Sequence, residues 1–338
     1  MNTTDNLGEY QSPNRFHPNE NRIDFSELQN SFSSIKKELK KVIVGQDRVL
    51  DYLMLSLLTG GHSLIEGLPG VAKTMMAKLL AQTIDSHFSR IQFTPDLMPA
   101  DVTGNSILNM KTNEFEFIKG PIFGNLILID EINRSPAKTQ AALFECMSEN
   151  QVTVDGNTYT LEPPFIVFAT QNPVEQEGTY RLPEAQLDRF LFKIEVDYPS
   201  LENEIILLNE QQNRKNIDKT TLVHPVISAK EILAFQEQVK SVFVHADLIA
   251  YMANVVTQTR THQALYLGAS PRASIALLEA SKANAAINGR DYVTPEDIKQ
   301  VAFPILTHRV ILTPEKEMEG LTAQQVIEDI IDQTNIPR

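Results

Sequence analysis

Two short segments carry residue types at spacings that could do chemistry. The first, Gly67-Leu68-Pro69-Gly70-Val71-Ala72-Lys73-Thr74, follows a short apolar run and opens a helical pattern. That is the context in which backbone N–H groups at a helix N-terminus cradle phosphate. There Lys73 is expected to reach the β and γ oxygens of a nucleotide, and the Thr74 hydroxyl to ligate magnesium. Gly67, Pro69, Gly70, Val71 and Ala72 supply the loop backbone. Ala72 stands where the strict pattern has a last glycine; because the position adjoins the helix start, ordinary negative φ is expected to suffice and a methyl group to fit. The second segment is the aliphatic run Leu126 to Ile129, which ends in Asp130-Glu131. Carboxylates at the carboxyl end of a buried strand lie where ligands bind in open α/β sheets. Asp130 is expected to bind magnesium, directly or through water, and Glu131 to polarise the water that attacks a γ-phosphate. Either segment alone has an ordinary explanation, as a glycine-punctuated loop or a solvated turn. Together they favour a nucleotide site.

Three further residues belong with them by their order along the chain. A later apolar run ends in Ala169-Thr170-Gln171-Asn172-Pro173, so the Asn172 amide emerges beside the carboxylates, within reach of the attacking water or the γ-phosphate. Arg189 stands in Leu187-Asp188-Arg189-Phe190 just before another apolar run, and Arg272 lies in the first turn of a helix opened by Ser270-Pro271. By residue type alone both arginines would be surface or ion-paired groups. The seven histidines, His17, His62, His87, His224, His245, His262 and His308, show no metal-ligand spacing and are expected to be surface or lightly buried. Cys146, flanked by Glu145 and Met147, reads as a small core residue because no basic neighbour lowers its pKa.

The elements that must position these groups are legible as patterns. Phe25, Leu28, Phe32, Ile35, Leu39 and Val42 step by three and four along one helix face, and a second helix runs from Gln46 to Thr59 before Gly60-Gly61. Short apolar runs at Ser63 to Glu66, Phe88 to Phe93, Leu126 to Asp130, Phe165 to Ala169 and Phe190 to Val196 alternate with helical patterns. Such alternation predicts an α/β core with a parallel five-stranded sheet sandwiched by helices. Two insertions interrupt it: a hairpin over Ile107 to Ile118 turning at Lys111 to Asn113, and one over Gln151 to Leu161 turning at Asp155-Gly156. Residues 1–22 are polar and aperiodic, an expected tail; 23–200 form the nucleotide-binding core; 201–223, centred on the polar stretch Asn209 to Lys219, are expected as a linker. Residues 224–338 carry cap-then-proline helix starts and are expected to be a small all-α lid domain.

Length and composition set the outer limits. A chain of 338 residues suggests about two domains. With 43 acidic against 30 basic residues and a net charge of −13, a surface built to neutralise nucleic-acid backbones is disfavoured. One cysteine allows no internal disulfide, and no leader pattern is present, so a cytoplasmic location is expected. No apolar run approaches the ~18–20 residues of a membrane span.

The order of the motifs resembles a known superfamily. Val44-Gly45-Gln46, the Gly67 to Thr74 loop, Asp130-Glu131, Asn172, Arg189 and Arg272 follow one another as the adenine-contacting segment, Walker A, Walker B, sensor 1, arginine finger and sensor 2 of AAA+ ATPases. More narrowly, Phe93-Thr94-Pro95-Asp96-Leu97, Gly120-Pro121-Ile122-Phe123, Asp130 to Arg134 and Leu182 to Phe190 are similar to the MoxR family, in which alanine at the Ala72 position is common. The resemblance implies a magnesium-dependent ATPase, a hexameric ring with ATP bound between subunits, and a chaperone-like role in assembling or activating partner complexes. It often involves a partner with a von Willebrand factor A domain. By position it makes Val44, Gly45 and Gln46 adenine contacts, Glu131 the base, Asn172 sensor 1, Arg272 a nucleotide sensor on the lid and Arg189 the finger acting on a neighbour, with Arg134 and Arg181 as rival fingers. It also implies a hairpin in the second helix, whose residues Asn109 to Phe117 would face a pore or form a plain solvated turn. A finger contributes ~10³–10⁵ in rate, so an isolated subunit should be nearly inactive. A nucleotide-gated scaffold with little turnover and a DNA-acting ring of the helicase type are the alternatives.

Overall fold

The structure is a computed structural model that describes residues 22–174, 179–214 and 218–336, with the side chain of Arg214 excepted. Most of the expected tail, with His17, lies outside the described residues.

The central sheet has five strands: β1 (Ser63–Gly67), β2 (Phe88–Gln92), β3 (Leu126–Asp130), β4 (Ile166–Gln171) and β5 (Phe192–Val196), all parallel in the order β5-β1-β4-β3-β2. Successive side chains on a strand point to opposite faces, and both faces here are apolar. Leu126, Leu128, Ile166 and Phe168 face one cluster, while Ile127, Ile129, Val167 and Ala169 face the other. The first cluster is covered by α1 (Ser26–Lys40), α2 (Asp47–Thr59) and α3 (Lys73–Gln82); the second by α4 (Ala137–Glu149) and the strand Gln151–Val154 of the second inserted hairpin. The α1 face expected from the sequence is the buried one: Leu28, Phe32, Ile35 and Leu39 are in the core. Helix α2 stops at Gly60, which takes the left-handed C-cap conformation (φ 68°) and lets its N–H bond back to Ser56 O.

Both insertions are antiparallel hairpins as expected, Gly104–Asn109 with Glu114–Lys119 and Gln151–Val154 with Asn157–Thr160. They lean on each other through Phe117 and Tyr159, stacked with ring centroids 4.2 Å apart. Met110 and Phe115 of the first hairpin stand in solvent.

The segment expected as a linker is largely helical. Helix α5 spans Leu201–Arg214, with Glu202 and Glu204 in its first turn. Its sequence gave no helix signal because it has no buried face: Leu201, Ile205, Ile206 and Leu208 are exposed. Beyond it, α6 (Ala229–Lys240), α7 (Ala246–Thr261), α8 (Pro271–Ile287), α9 (Pro295–Leu306) and α10 (Ala323–Gln333) form the lid. A short antiparallel pair, Leu265–Leu267 with Ile311–Leu312, accompanies them. The starts at Ser270-Pro271 and Thr294-Pro295 are capped as expected, Ser270 accepting from Arg272 N–H and Thr294 closing a capping box with Asp297. Lid residues such as Leu277, Ala280 and Ile298 share one apolar cluster with α1 and α2.

Two histidines depart from expectation. His62 and His308 are buried, and burial pushes His62 down to about 4 and His308 well below its ordinary value. His62 Nδ1 accepts from Val167 N–H, which fixes Nε2 as donor to Met147 O. Cys146 is a core residue, and burial, helped by Glu145, raises its thiol to about 12. No helix among the described residues is long and apolar enough to cross a membrane.

Candidate functional site

The carboxyl ends of β1, β3 and β4 open into a cleft of about 550 Å³ lined by Pro69, Gly70, Ala72, Lys73, Thr74, Asp130, Glu131, Thr170 and Asn172, among others. That volume lies within the ~300–1,000 Å³ usual for small-molecule sites. The loop after β1 turns directly into α3, whose first residue is Lys73. Ala72, at its N-cap, contradicts the expectation of ordinary φ: it sits at φ 62°, ψ 24°, in the left-handed region. The loop must reverse from strand to helix within a few residues, and the left-handed turn falls on this position, so the methyl group is tolerated under strain.

The side chains converge. Thr74 Oγ1 donates to Asp130 Oδ1 at 2.8 Å, and Thr170 Oγ1 donates to the same oxygen at 3.2 Å while accepting from Glu131 N–H at 3.0 Å. Asp130 Oδ2 accepts from Arg90 Nε at 2.7 Å. Lys73 Nζ donates to the carbonyls of Gly67, Leu68 and Gln171. Glu131 is itself left-handed (φ 57°); its carboxylate accepts from Gln92 Nε2 at 2.9 Å and pairs with Arg134 at 3.3 Å. Asn172 is buried at the cleft wall, its Oδ1 accepting from Val174 N–H. A hydroxyl and a carboxylate within hydrogen-bond distance form a hard-oxygen donor set that suits a small divalent cation.

A second cavity of about 400 Å³ borders the same sheet edge; Gly45, Gln46, Tyr198, Pro199, Asn203, Phe303 and Pro304 line part of it. Gln46 Nε2 donates to Asp197 O, in the residues that follow β5, and β5 ends opposite Gly67. Gly45 is required there: φ is 73°, and a Cβ would come within 2.3 Å of the Asn203 side chain on α5. Val44 is half-buried and adjoins this cavity only through its neighbour Gly45.

The structure separates the two arginines from this cleft and brings them together. Arg189 precedes β5, at the amino end of the sheet, opposite the edge that carries Lys73. Its Nη1 donates to Phe144 O, and it shares a cavity of about 300 Å³ with Arg272, Asp188, Arg309 and His62. Arg272, expected to sense nucleotide from the lid, does not line the cleft of its own chain. Ser270, the cap of α8, donates to Asp188 Oδ2 at 3.0 Å, and Arg272 approaches the same carboxylate at 3.8 Å, which holds this end of the lid beside Arg189. Of the rival fingers, Arg134 is paired with Glu131 of its own chain, and Arg181 is exposed.

Sequence reasoning missed four residues that organise these sites. Thr170 and Arg90 hold Asp130; the position of Thr170 one step past Ala169 at a strand end was the available signal. Asp188 and Arg309 join core to lid: Arg309 Nε donates to Asp188 Oδ1 at 2.8 Å and its Nη2 to Phe190 O at 2.7 Å. Arg309 is buried, and burial pulls its pKa down against the opposing pull of Asp188. Nothing local in the sequence signals a bond between residues so far apart.

A five-stranded parallel sheet with a phosphate-loop cleft, an acidic strand end and a helical lid defines an AAA+ ATPase. Residues 62–192 match the family described as ATPase family associated with various cellular activities (AAA), and residues 257–330 match the AAA lid domain. Within that class the chain belongs to the MoxR family: it is 41% identical to Chaperone MoxR1 of Mycobacterium tuberculosis, over 89% of this chain and 81% of that protein. It is also 47% identical to the Bacillus subtilis protein YeaC, over 89% of this chain and 93% of the relative. The crystal structure of a Cytophaga hutchinsonii protein superposes with a TM-score of 0.85 at 45% identity, covering 93% of this chain and 97% of that one.

Proposed function

We propose that this ATPase works as a ring whose active sites are shared between subunits, and that its hydrolysis drives chaperone-like assembly or activation of a partner protein complex. The observation that carries the reading is the separation just described: Lys73, Thr74, Asp130, Glu131 and Asn172 line one cleft, whereas Arg189 and Arg272 share a cavity at the other end of the sheet. Two arginines that cannot serve their own cleft are suited to a neighbour's. A ring, a hexamer by family resemblance, would place them there. The relative named as a chaperone supports the remodelling role, and the family resemblance supports a partner with a von Willebrand factor A domain.

In this reading the loop N–H groups and Lys73 hold the phosphates, which requires Lys73 to leave the carbonyls of Gly67, Leu68 and Gln171 for phosphate oxygens. Thr74 and Asp130 would hold magnesium, which would supply charge neutralisation to the phosphates. Gly45 and Gln46 contact the adenine side. Asn172 orients the attacking water or the γ-phosphate. Glu131 takes the water's proton, and for that its carboxylate must come free of Gln92 and Arg134. Arg189 and Arg272 of the adjacent subunit stabilise the charge that develops on transfer.

Glu131→Gln tests the assignment of the base. The variant should bind ATP as wild type does and lose turnover by roughly 10²–10⁴-fold, read as phosphate release beside nucleotide binding. Undiminished turnover sinks it.

A further inference from the structure

Asp130 is held on both carboxylate oxygens by three side chains, of which only Thr74 belongs to the phosphate loop. Oδ1 takes the hydroxyls of Thr74 and Thr170. Oδ2 takes the guanidinium of Arg90 at 2.7 Å. The pair is asymmetric: the Asp130 side chain is 4% exposed and that of Arg90 is 53% exposed. A buried carboxylate without a counter-charge is costly, so some cation must stand beside Asp130 while the cleft is without ligand. Lys73, which also lines the cleft, is turned toward the carbonyls of Gly67, Leu68 and Gln171. Arg90 comes from β2, whose Gln92 lies opposite Asp130 in the sheet register, so strand pairing fixes its reach. Half in solvent, its guanidinium is readily rehydrated, so it can leave Asp130 at small cost once another cation takes its place.

We propose that Arg90 is the resting counter-ion of Asp130, a placeholder that a divalent cation displaces when it arrives with the nucleotide. The proposal rests on the nucleotide reading of this cleft. Its consequence lies in how nucleotide binding depends on metal. Without metal, Arg90 neutralises Asp130 and so removes a repulsion between that carboxylate and the polyanionic nucleotide. With metal, the cation performs the same neutralisation, and Arg90 contributes little. A residue that merely braces the sheet, or one that contacts phosphate in both states, would affect binding alike in the two conditions.

The experiment is the affinity of a fluorescent ribose-labelled ATP for wild type, Arg90→Met and Arg90→Lys, measured in EDTA and in excess magnesium, with thermal melting as the folding check. Arg90→Gln, which keeps a donor for Asp130 without the charge, replaces the Met variant if that one does not fold. The ratio of the Kd in EDTA to that in magnesium should rise about tenfold for Arg90→Met, almost all of it from weaker metal-free binding, and stay within about twofold of wild type for Arg90→Lys. An unchanged ratio, or equal losses in both buffers, overturns the placeholder role while leaving the nucleotide site standing. Wild-type binding only with magnesium also overturns it, because a neutralised Asp130 should admit free nucleotide. If wild type binds in neither buffer, the nucleotide reading itself fails and takes this inference with it.

Discussion

Ala72 and Glu131 both occupy left-handed backbone, at φ 62° and φ 57°, and both sit at the mouth of the cleft. For a residue with a Cβ that conformation costs roughly 1–2 kcal/mol, and such strain persists where the surroundings dictate the backbone path. At Ala72 the path is dictated by a loop that must present its N–H groups inward and then start a helix at Lys73. Ala72→Gly relieves the strain and restores some unfolded-state freedom, so the ligand-free protein should gain about 0.5–1 kcal/mol on balance. Urea denaturation read by circular dichroism checks this; a loss of stability would mean that the methyl group makes packing contacts worth more than the strain. At Glu131 the same geometry, with its N–H bonded to Thr170, aims the carboxylate at Gln92 and Arg134.

Besides the apolar packing of the lid on α1 and α2, the joint between lid and core runs through one short loop and one buried arginine. Arg309 lies just after α9 and bonds to the Asp188 carboxylate and to the carbonyls of Asp188, Phe190 and Leu191. Because Arg189 is the next residue after Asp188, and Ser270 and Arg272 also reach Asp188, this latch sets the position of both arginines together. Removing Arg309 leaves Asp188 only the Ser270 hydroxyl and the exposed Arg272 and strips the carbonyls of Phe190 and Leu191 of their donor, a loss of about 2–3 kcal/mol. Arg309→Ala should therefore lower the melting temperature by several degrees or more in thermal unfolding. In a double-mutant cycle its cost should shrink when Asp188 is already Asn. Additive costs would mean that Arg309 acts through its packing and carbonyl bonds alone.

At the scale of the whole molecule, the cleft and the arginine cavity lie at opposite ends of the sheet; in the ring proposed above, each chain would contribute to two different sites. Lys73→Ala and Arg189→Ala should each be nearly inactive by itself. Mixed in equal amounts they should regain turnover, because some interfaces then combine an intact cleft with an intact arginine; a phosphate-release assay across protein concentrations reads this directly. If Arg189→Ala is as fast as wild type, the finger assignment fails. The net charge of −13 is compatible with a protein client and gives no support to a DNA-tracking ring.

The chain's order of residues by itself determined the α/β core, both hairpins, the cap-and-proline helix starts of the lid and the convergence of Lys73, Thr74, Asp130, Glu131 and Asn172 on one cleft. Each of these depends on short-range physics: alternation of apolar runs, turn residues at Asp155-Gly156, an N-cap serine before proline, and carboxylates at a strand end. Only the tertiary structure decided the rest. Helix α5 was illegible because it buries no face, and the strain at Ala72 because φ is set by the path of the whole loop. The partnership of Arg272 with Arg189, the Asp188–Arg309 latch and the placement of Arg90 on Asp130 each join residues distant in sequence. Such contacts exist only once strand order, register and the docking of the lid have brought their elements together, and no local pattern encodes them.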